Sequence, residues 1–417
     1  MNRTPVLWPG ATLPDPAAAM AYGAQTRATL CPPSDQARFP PNTKAIVCGQ
    51  TPHALGWAVA LARAGFDVTA FEPDQDDARR AADILARAHA LGQVPHEIPL
   101  ASEAARAAGA ALVIDTAVSP VHALLDACGP DALVLLIGGP GSAAGPLASR
   151  AVCVDTALPP PDARLIELRV RPETAAHQLD RAAGLIRALG ATPMRTASFI
   201  GAPLRARLED AAEALVFAGS PPWEVDEALE ATGFALGPCA AQDLHGLDHA
   251  YARHRQEDAT GFRRFPCPVL DRMVPEGRLG QKGGVGWYRY PGGGGRVIDP
   301  LIEDLSREEA YFAGRTTAQM PEDDLRRHTI LSLIDAAADL SATGIPDPCI
   351  DLVSQHACGF PAALGGPMYL GRMLGFATVC DMLERSAAVS PVWAPGRALR
   401  TLARARPRLR NQQQAGS

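Results

Sequence analysis

The chain lacks the features that would place it in a membrane or in an oxidising compartment. Its nine cysteines include no C-x-x-C pair, and single cysteines in apolar or loop contexts are typical of buried thiols in a reduced protein rather than of a disulfide framework or a zinc site. No apolar run reaches the ~20 residues of a membrane span. The N-terminus has no basic start followed by an apolar core, which argues against a signal peptide. We therefore expect a cytoplasmic protein without a membrane partner.

Other kinds of site are missing as well. There is no P-loop and no Ser–His–Asp arrangement, and a formal charge of −6 gives no reason to expect a nucleic-acid partner. Three histidines, His245, His249 and His254, lie near one another in the sequence. The first two are four residues apart, which predicts a shared helix face. No acidic or cysteine partner is placed to complete a metal site with them, so we expect no metal.

Strand and helix signals divide the chain into regions. Residues 1–43 are rich in proline and alanine without a clear period, which is typical of an extension or linker. From residue 44 to 197, short apolar runs alternate with helical stretches, and this alternation predicts an α/β domain with a doubly wound parallel sheet. The predicted strands are Ala45–Cys48, Val68–Phe71, Ala111–Ile114, Ala132–Ile137, Ala151–Val154 and Leu165–Val170.

From about residue 198 helical periodicity replaces the strands, and one segment is repeated. Gly219 and Asp226 recur as Gly344 and Asp351 at one constant offset. Two copies of one helical unit predict a pseudo-symmetric pair that packs together. We assign 198–296 to the first copy, 297–402 to the second, and 403–417 to a basic and polar tail.

The segment KAIVCGQTPHALGWAVALARAGFDVTAFEPD (44–74) has the order strand, glycine-containing turn, helix, strand and acidic residue. Compared with the G-x-G-x-x-G/A fingerprint, it supplies Gly49, Thr51 and Ala54. Gly49 permits the tight turn and Ala54 close helix–strand packing, whereas Thr51 replaces the glycine that lets the backbone approach the pyrophosphate. Glu72 ends the second strand, where a carboxylate binds the adenosine ribose, which favours NAD over NADP. We predict a Rossmann domain that binds NAD; a Rossmann domain that has lost its nucleotide is the alternative.

Three later motifs carry a family resemblance: GPCAAQDLHGLD (237–248), VLDRMVPEGRLGQKGGVGWYRYP (269–291) and CGFPAALGGPMYLGRMLGF (358–376). Through them the chain resembles the 3-hydroxyacyl-CoA dehydrogenase family, and most closely the dehydrogenase part of the multifunctional fatty-acid β-oxidation enzymes, without their hydratase domain. The resemblance implies two repeated all-α domains of the 6-phosphogluconate-dehydrogenase type after the Rossmann domain. It also implies NAD-dependent oxidation of an (S)-3-hydroxyacyl-CoA to the 3-ketoacyl-CoA, with Ala117 and Val118 in the cofactor site.

The resemblance also locates the catalytic positions. The family has a catalytic histidine at a strand end and, in the next strand, a glutamate that orients it. Here RLIEL supplies Glu167 at the glutamate, and counting back places Asp155 at the histidine, with no histidine between His122 and His177. A lone aspartate is a weak base for an alcohol, but two carboxylates held close share a proton. Asp155 and Glu167 therefore either form an acid–base dyad, or Asp155 only caps the loop and Glu167 is a buried, hydrogen-bonded residue without a catalytic role.

Three hypotheses follow for the function. The first is a dehydrogenase that acts on an acyl-CoA-type substrate in fatty-acid β-oxidation, with an altered proton route. The second is a catalytically silent paralogue that binds NAD or acyl-CoA as a partner or regulatory subunit of a β-oxidation complex. The third is an architectural protein that binds neither. Single-function members of the family form dimers, and two helical copies in one chain can replace that contact. A homodimer and a complex both stay open, as does whether the chain is an enzyme.

Overall fold

A computed structural model describes residues 7–31, 39–49, 51–116, 124, 128–138, 149–160, 162–261 and 265–405. The chain forms two units, one of Arg27–Ala202 and the other of Met1–Thr26 together with Pro203–Ser417. The first unit contains the predicted sheet, and the second contains the predicted helical copies.

The first unit is built on one sheet. Its strands are β1 (Lys44–Cys48), β2 (Asp67–Phe71), β3 (Leu100–Ala101), β4 (Leu112–Asp115), β5 (Leu133–Ile137), β6 (Ala151–Asp155), β7 (Leu165–Arg169) and β8 (Thr192–Thr196). They lie in the order β3-β2-β1-β4-β5-β6-β7-β8, and the neighbours from β3 to β6 are parallel. That order is the 3-2-1-4-5-6 arrangement of a dinucleotide-binding sheet. The predicted doubly wound sheet is therefore confirmed, and β8 is a strand that the sequence pattern did not indicate.

One strand runs against the predicted direction. β7 is antiparallel to β6, and the register pairs Asp155 with Glu167. A parallel neighbour needs a crossover of about a dozen residues or more, and only residues 156–164 separate the two strands. The prediction of a wholly parallel sheet is therefore wrong at this pair. The reversal places the two candidate catalytic carboxylates opposite each other.

Helices pack against the sheet and bury its apolar strands. α2 (Pro52–Arg63) contacts β1 and β2, α3 (Gln75–Ala90) packs on α2, and α4 (Ala176–Ala188) contacts the strands from β5 to β8. Two apolar clusters result, one around Trp57 and Leu61 and the other around Val113 and Val134. Because both faces are covered, strands such as β4 are buried at every position rather than at alternate ones. The helix expected at 123–127 lies outside the described residues except for Leu124, which is helical and buried.

In its described part the second unit is helical apart from a short antiparallel hairpin of β9 (Tyr288–Arg289) and β10 (Val297–Ile298). Its helices include α1 (Pro16–Leu30), α5 (Gly201–Phe217), α6 (Pro222–Thr232), α7 (Pro238–His245), α8 (Leu247–Thr260), α9 (Pro268–Met273), α10 (Leu301–Phe312), α11 (Glu322–Ala342), α12 (Asp347–Ala357), α13 (Pro367–Leu374), α14 (Phe376–Val389) and α15 (Arg397–Arg404). Among the helices of the described residues, none combines the length and the apolar character that a bilayer crossing requires.

The sequence repeat is confirmed as a repeat of hydrogen bonds. In the first copy the carboxylate of Asp226, in α6, accepts from the backbone N–H groups of the second and third residues of α7 (2.8 and 3.0 Å). In the second copy Asp351, in α12, accepts from the same two positions of α13 (2.7 and 3.0 Å). The copies also meet, as predicted, because the rings of Phe234 and Phe360 lie edge to face with centroids 5.5 Å apart.

Each of these buried aspartates also accepts from a tyrosine hydroxyl, but the two tyrosines come from different parts of the chain. Tyr288, in β9, donates to Asp226 (2.8 Å), whereas Tyr22, in α1, donates to Asp351 (2.9 Å). Burial raises the pKa of both aspartates to about 7, and the tyrosine hydroxyls oppose that rise because they stabilise the ionised form.

The N-terminal helix therefore has a defined structural role. α1 lies within the stretch expected as an extension or linker and supplies to the second copy the hydroxyl that β9 supplies to the first. Its sequence shows no clear period because it buries little of itself, namely Ala19 and Thr26. The ring of Tyr22 also packs beside that of Tyr369, with centroids 4.8 Å apart.

We expect Tyr22→Phe to lower the free energy of unfolding by about 1.5–3 kcal/mol, the range for a lost hydrogen bond to a charged group. The aromatic contact stays, so the loss reports on the hydroxyl that faces Asp351. Urea unfolding at neutral pH measures the change. Tyr311→Phe is the matched control, because Tyr311 is 79% exposed and should change stability by less than about 0.5 kcal/mol. Equal stability of the two variants would contradict the role of Tyr22.

Candidate functional site

The candidate cofactor site lies where β1 ends. Gly49 has a φ of +107°, a conformation that favours glycine, and its N–H donates to the carbonyl of Phe71 (3.1 Å). Thr51 then caps α2 with an extended backbone, and its Oγ1 accepts from the N–H of Ala54 (3.2 Å). Ala54 is fully buried. The three fingerprint positions thus meet at the N-terminus of α2.

That N-terminus offers fewer backbone donors than a helix start normally does. A helix leaves its first four N–H groups without a partner in the helix, and these groups can bind a phosphate. Pro52, the first residue of α2, has no N–H. The N–H of Ala54 donates to the side chain of Thr51 (3.2 Å). The set of donors for a pyrophosphate is therefore reduced.

Glu72 follows β2 directly and is partly exposed. Its Oε1 accepts from the N–H of Asp74 (3.1 Å), and Asp74 in turn caps α3 by accepting from two N–H groups of its first turn (both 2.9 Å). These bonds fix the Glu72 carboxylate at the carboxyl end of β2, beside β1. It is the position from which a carboxylate binds the adenosine ribose in Rossmann domains.

Gly56 is a residue of the turn region that the sequence reasoning missed. A Cβ at this position would lie within 2.8 Å of Pro159 Cβ and closer still to its Cγ, so the absence of a side chain lets the loop after β6 pack directly on α2. The sequence contains two small residues here, Ala54 and Gly56, and the fingerprint assigned close packing to Ala54 alone.

The candidate catalytic pair is Asp155, the last residue of β6, and Glu167, the middle residue of β7. Residues directly opposite in an antiparallel pair have Cβ atoms about 5 Å apart and lie on one face of the sheet, and the register pairs these two. Their exposures are 6% and 2%. The fold therefore places these two side chains as neighbours on one face of the sheet, both buried.

Glu167 is also bound to the start of a helix. Its Oε2 accepts from the N–H of Ile200 (2.9 Å) and its Oε1 from the N–H of Gly201, the first residue of α5 (2.8 Å). A carboxylate at a helix N-terminus is stabilised both by these donors and by the helix dipole. Glu167 is therefore held in one orientation as a fixed negative charge, a role that its sequence context did not reveal because the partners lie more than 30 residues further on.

Two predicted cofactor residues, Ala117 and Val118, lie outside the described residues. The same holds for residues 139–148.

The three histidines are arranged differently from the prediction. His245 ends α7 and His249 lies in α8, because Gly246 between them has φ +101° and ψ 124° and breaks the helix. The predicted shared helix face is therefore wrong. His254 is 1% exposed, and acidic and cysteine side chains do surround it: Asp210, Glu213, Cys267 and Asp271. The expectation that His254 has no such partners is also wrong, because they come from other helices.

Comparisons with known proteins find a family match within the first helical copy. Residues 199–290 match the family model of the 3-hydroxyacyl-CoA dehydrogenase C-terminal domain. The human peroxisomal bifunctional enzyme is 34% identical over 193 residues, which cover 42% of this chain and 26% of that protein. The fatty acid oxidation complex subunit alpha of a Shewanella species is 26% identical over 241 residues, which cover 54% of this chain and 32% of that protein. The chain thus spans about a quarter to a third of the length of the curated relatives it matches.

Two solved structures have the same fold. The 3-hydroxybutyryl-CoA dehydrogenase of Escherichia coli matches with a TM-score of 0.62 and 20% identity, over 87% of this chain and 98% of that chain. The dehydrogenase part of multifunctional enzyme 1 from C. elegans matches with a TM-score of 0.60 and 17% identity, over 94% of this chain and 97% of that chain. The chain therefore has the fold of these two structures, and residues 199–290 match the 3-hydroxyacyl-CoA dehydrogenase C-terminal domain.

We expect Gly56→Ala to destabilise the protein by about 1–3 kcal/mol, the usual cost of forcing extra volume into a packed contact, because the new methyl group overlaps Pro159. Thermal unfolding measures the effect. Gly129→Ala is the matched control, since its φ is not positive and no atom lies within 4 Å of its added Cβ. If both variants unfold like the wild type, the loop does not pack on α2 as described.

Proposed function

We propose that the chain is an NAD-dependent 3-hydroxyacyl-CoA dehydrogenase that oxidises an (S)-3-hydroxyacyl-CoA to the 3-ketoacyl-CoA in fatty-acid β-oxidation, through an altered active site. The observation that carries this proposal is the pairing of Asp155 with Glu167 at the end of β6. It is the place where the family has its histidine and glutamate.

In this proposal Asp155 takes the proton of the substrate hydroxyl. Oxidation of a secondary alcohol needs a base within hydrogen-bond reach while the hydride leaves. NAD, when bound, supplies the hydride acceptor.

The residues of the candidate cofactor site fit the adenosine ribose of NAD better than its pyrophosphate. Gly49 makes the tight turn and Glu72 is placed for the adenosine ribose, which supports the predicted preference for NAD over NADP. At the pyrophosphate, Thr51 occupies the place of a glycine and Pro52 removes a donor. We include Ala117 and Val118 in the proposed cofactor site on the family resemblance.

The reduced donor set at α2 favours a second candidate function. In it the chain is a catalytically silent member of the family that binds NAD or acyl-CoA weakly and serves as a partner or regulatory subunit of a β-oxidation complex. Glu167 fits this candidate as well, because its bonds to Ile200 and Gly201 give it a structural role that needs no chemistry.

The location of the protein, its assembly and its domain limits are also proposed. We propose an acyl-CoA-type substrate, a cytoplasmic location, and either a homodimer or a β-oxidation complex as the assembly. The proposed domains are 44–197 for NAD, and 198–296 and 297–402 for the two helical copies.

The first test is NADH oxidation with acetoacetyl-CoA across pH, with wild type, Asp155→Asn and Asp155→His side by side. We expect wild type to turn over and Asp155→Asn to lose about 10²–10⁴-fold in kcat, the contribution of a general acid–base group. Asp155→His should restore or exceed the rate and move the pH profile toward neutral pH.

Asp162→Asn, an exposed acid in the same loop, is the control. Turnover that is unchanged by Asp155→Asn would exclude Asp155 as the proton carrier, and no turnover by wild type would favour the silent candidate.

A second test separates weak from absent NAD binding. Thr51→Gly frees the N–H of Ala54 and removes the β-carbon that faces the pyrophosphate position, while glycine remains an acceptable N-cap at a cost of a few tenths of a kcal/mol. We therefore expect NADH to bind several-fold more tightly, as measured by its fluorescence. Thr51→Ser keeps the hydroxyl cap and should bind like the wild type. NADH binding that Thr51→Gly leaves unchanged would show that α2 does not receive the pyrophosphate.

A further inference from the structure

A buried group of unlike side chains in the first helical copy has no part in the proposed reaction. Asp210 and Glu213 come from α5, His254 from α8, and Cys267 precedes α9. One ligand atom from each of the four lies within 4.8 Å of those of the others. Glu213, His254 and Cys267 are each 2% exposed or less, and the Asp210 side chain is 14% exposed.

Two distances within this group are close to those between ligands of one small ion. His254 Nε2 lies 3.4 Å from Asp210 Oδ1 and 3.8 Å from Glu213 Oε2. Two ligands that each lie about 2.1 Å from a tetrahedral zinc ion are roughly 3.4 Å apart. The separations are too long for hydrogen bonds of normal strength, and they leave room for an ion between the atoms.

Glu213 gives an independent indication of a ligand. Its Oε1 accepts from the side-chain amide of Gln242, whose own oxygen accepts from Trp287 Nε1 (2.6 Å). Its Oε2, turned toward His254, is buried and has no hydrogen-bond donor among the described residues. A buried carboxylate oxygen without a donor is costly unless it binds a cation. The Gln242–Trp287 pair therefore holds one oxygen of Glu213 in place and leaves the other directed into the group.

The surroundings of His254 match those of a metal-binding histidine. Its Nε2 faces Asp210 and Glu213, while its Nδ1 lies 3.4 Å from Asp271 Oδ1. Histidines that bind a metal through one nitrogen commonly donate the other N–H to a carboxylate, which fixes the ring and its tautomer. Asp271 fits that supporting role.

The charges around His254 also favour a cation. Asp210, Glu213 and Asp271 all lie within 4 Å of this single imidazole. Arg253 neutralises part of this charge, because it donates to Asp210 (2.7 Å) and would share that carboxylate with an ion.

The second helical copy shows that the repeated fold does not require this group. The constant offset of the repeat matches Asp210 with Asp335 and Glu213 with Ala338. Asp335 accepts from the N–H of Gly396 (2.7 Å) and pairs with Arg207 (3.0 Å). In the second copy, which has no glutamate at this position, Asp335 thus binds a helix start and an arginine. In the first copy, imidazole, thiol and carboxylate groups lie together instead.

We propose that Asp210, Glu213, His254 and Cys267 bind one structural zinc ion. One nitrogen, one sulfur and two oxygen donors suit zinc, whereas magnesium and calcium take oxygen ligands. Four protein ligands leave no open position, so the site joins α5, α8 and the segment before α9 and does no chemistry on a substrate. On binding, zinc displaces the protons of the thiol and the imidazole. The inference does not depend on the proposed dehydrogenase activity.

The test is a titration of chelator-treated full-length protein with Co²⁺ and then with Zn²⁺. We expect one Co²⁺ per chain with a near-ultraviolet thiolate-to-cobalt band, displacement of Co²⁺ by one equivalent of Zn²⁺, and a higher unfolding temperature with Zn²⁺ present. Cys267→Ser should abolish the band, and Glu213→Gln should weaken zinc binding at least about tenfold. Cys358→Ser, at a cysteine outside the group, should bind like the wild type.

Absence of the cobalt band in the folded wild type would overturn the proposal, and so would zinc binding that is unchanged in both Cys267→Ser and Glu213→Gln. Far-ultraviolet circular dichroism shows whether each variant folds. If Cys267→Ser does not fold, the cobalt spectrum of the wild type still decides, because the band requires a thiolate ligand.

Discussion

A buried carboxylate that accepts backbone N–H groups at the start of a helix is the interaction on which most of this structure depends. Glu167 does this for α5, Asp226 for α7 and Asp351 for α13. A helix start needs acceptors and carries a partial positive charge, while a buried carboxylate needs donors. Each satisfies the other, so one pair of bonds fixes both the position of the acid and the direction of the helix.

The pattern changes how an acidic residue in this chain is to be interpreted. Glu167 lies at a position where the family has a catalytic glutamate, yet its two oxygens bind Ile200 and Gly201. Burial alone therefore does not mark a catalytic acid here. The group around His254 is different, because one oxygen of Glu213 is buried with no donor among the described residues. That contrast is the reason for assigning a ligand to one group and a helix start to the others.

Much of the fold followed from local patterns, and the exceptions have physical causes. The apolar runs predicted β1, β2 and β4 to β7 because strands buried on both faces are apolar throughout. The direction of β7 was missed because it depends on the length of the loop before it, not on composition. α1 was missed because it buries so little of itself that no apolar period marks it.

The same holds for the candidate sites: residues close in sequence could be predicted to meet, and residues far apart in sequence could not. Gly49, Thr51 and Ala54 are close in sequence, so their meeting at α2 was predictable. The partners of His254 were not, since they lie on two other segments and no spacing rule links Glu213 to Cys267. Contacts of that kind exist only once the helices have packed.

The bond from Tyr22 to Asp351 joins residues that lie 329 positions apart. A ribosome makes the N-terminal end first, and domains that are contiguous in sequence can fold as they emerge. α1 has no such opportunity, because its packing partner is made more than 300 residues later. The second unit can therefore close only after the segment that carries Asp351 has been made, and the long stretch of chain between the two residues raises the entropic cost of that closure.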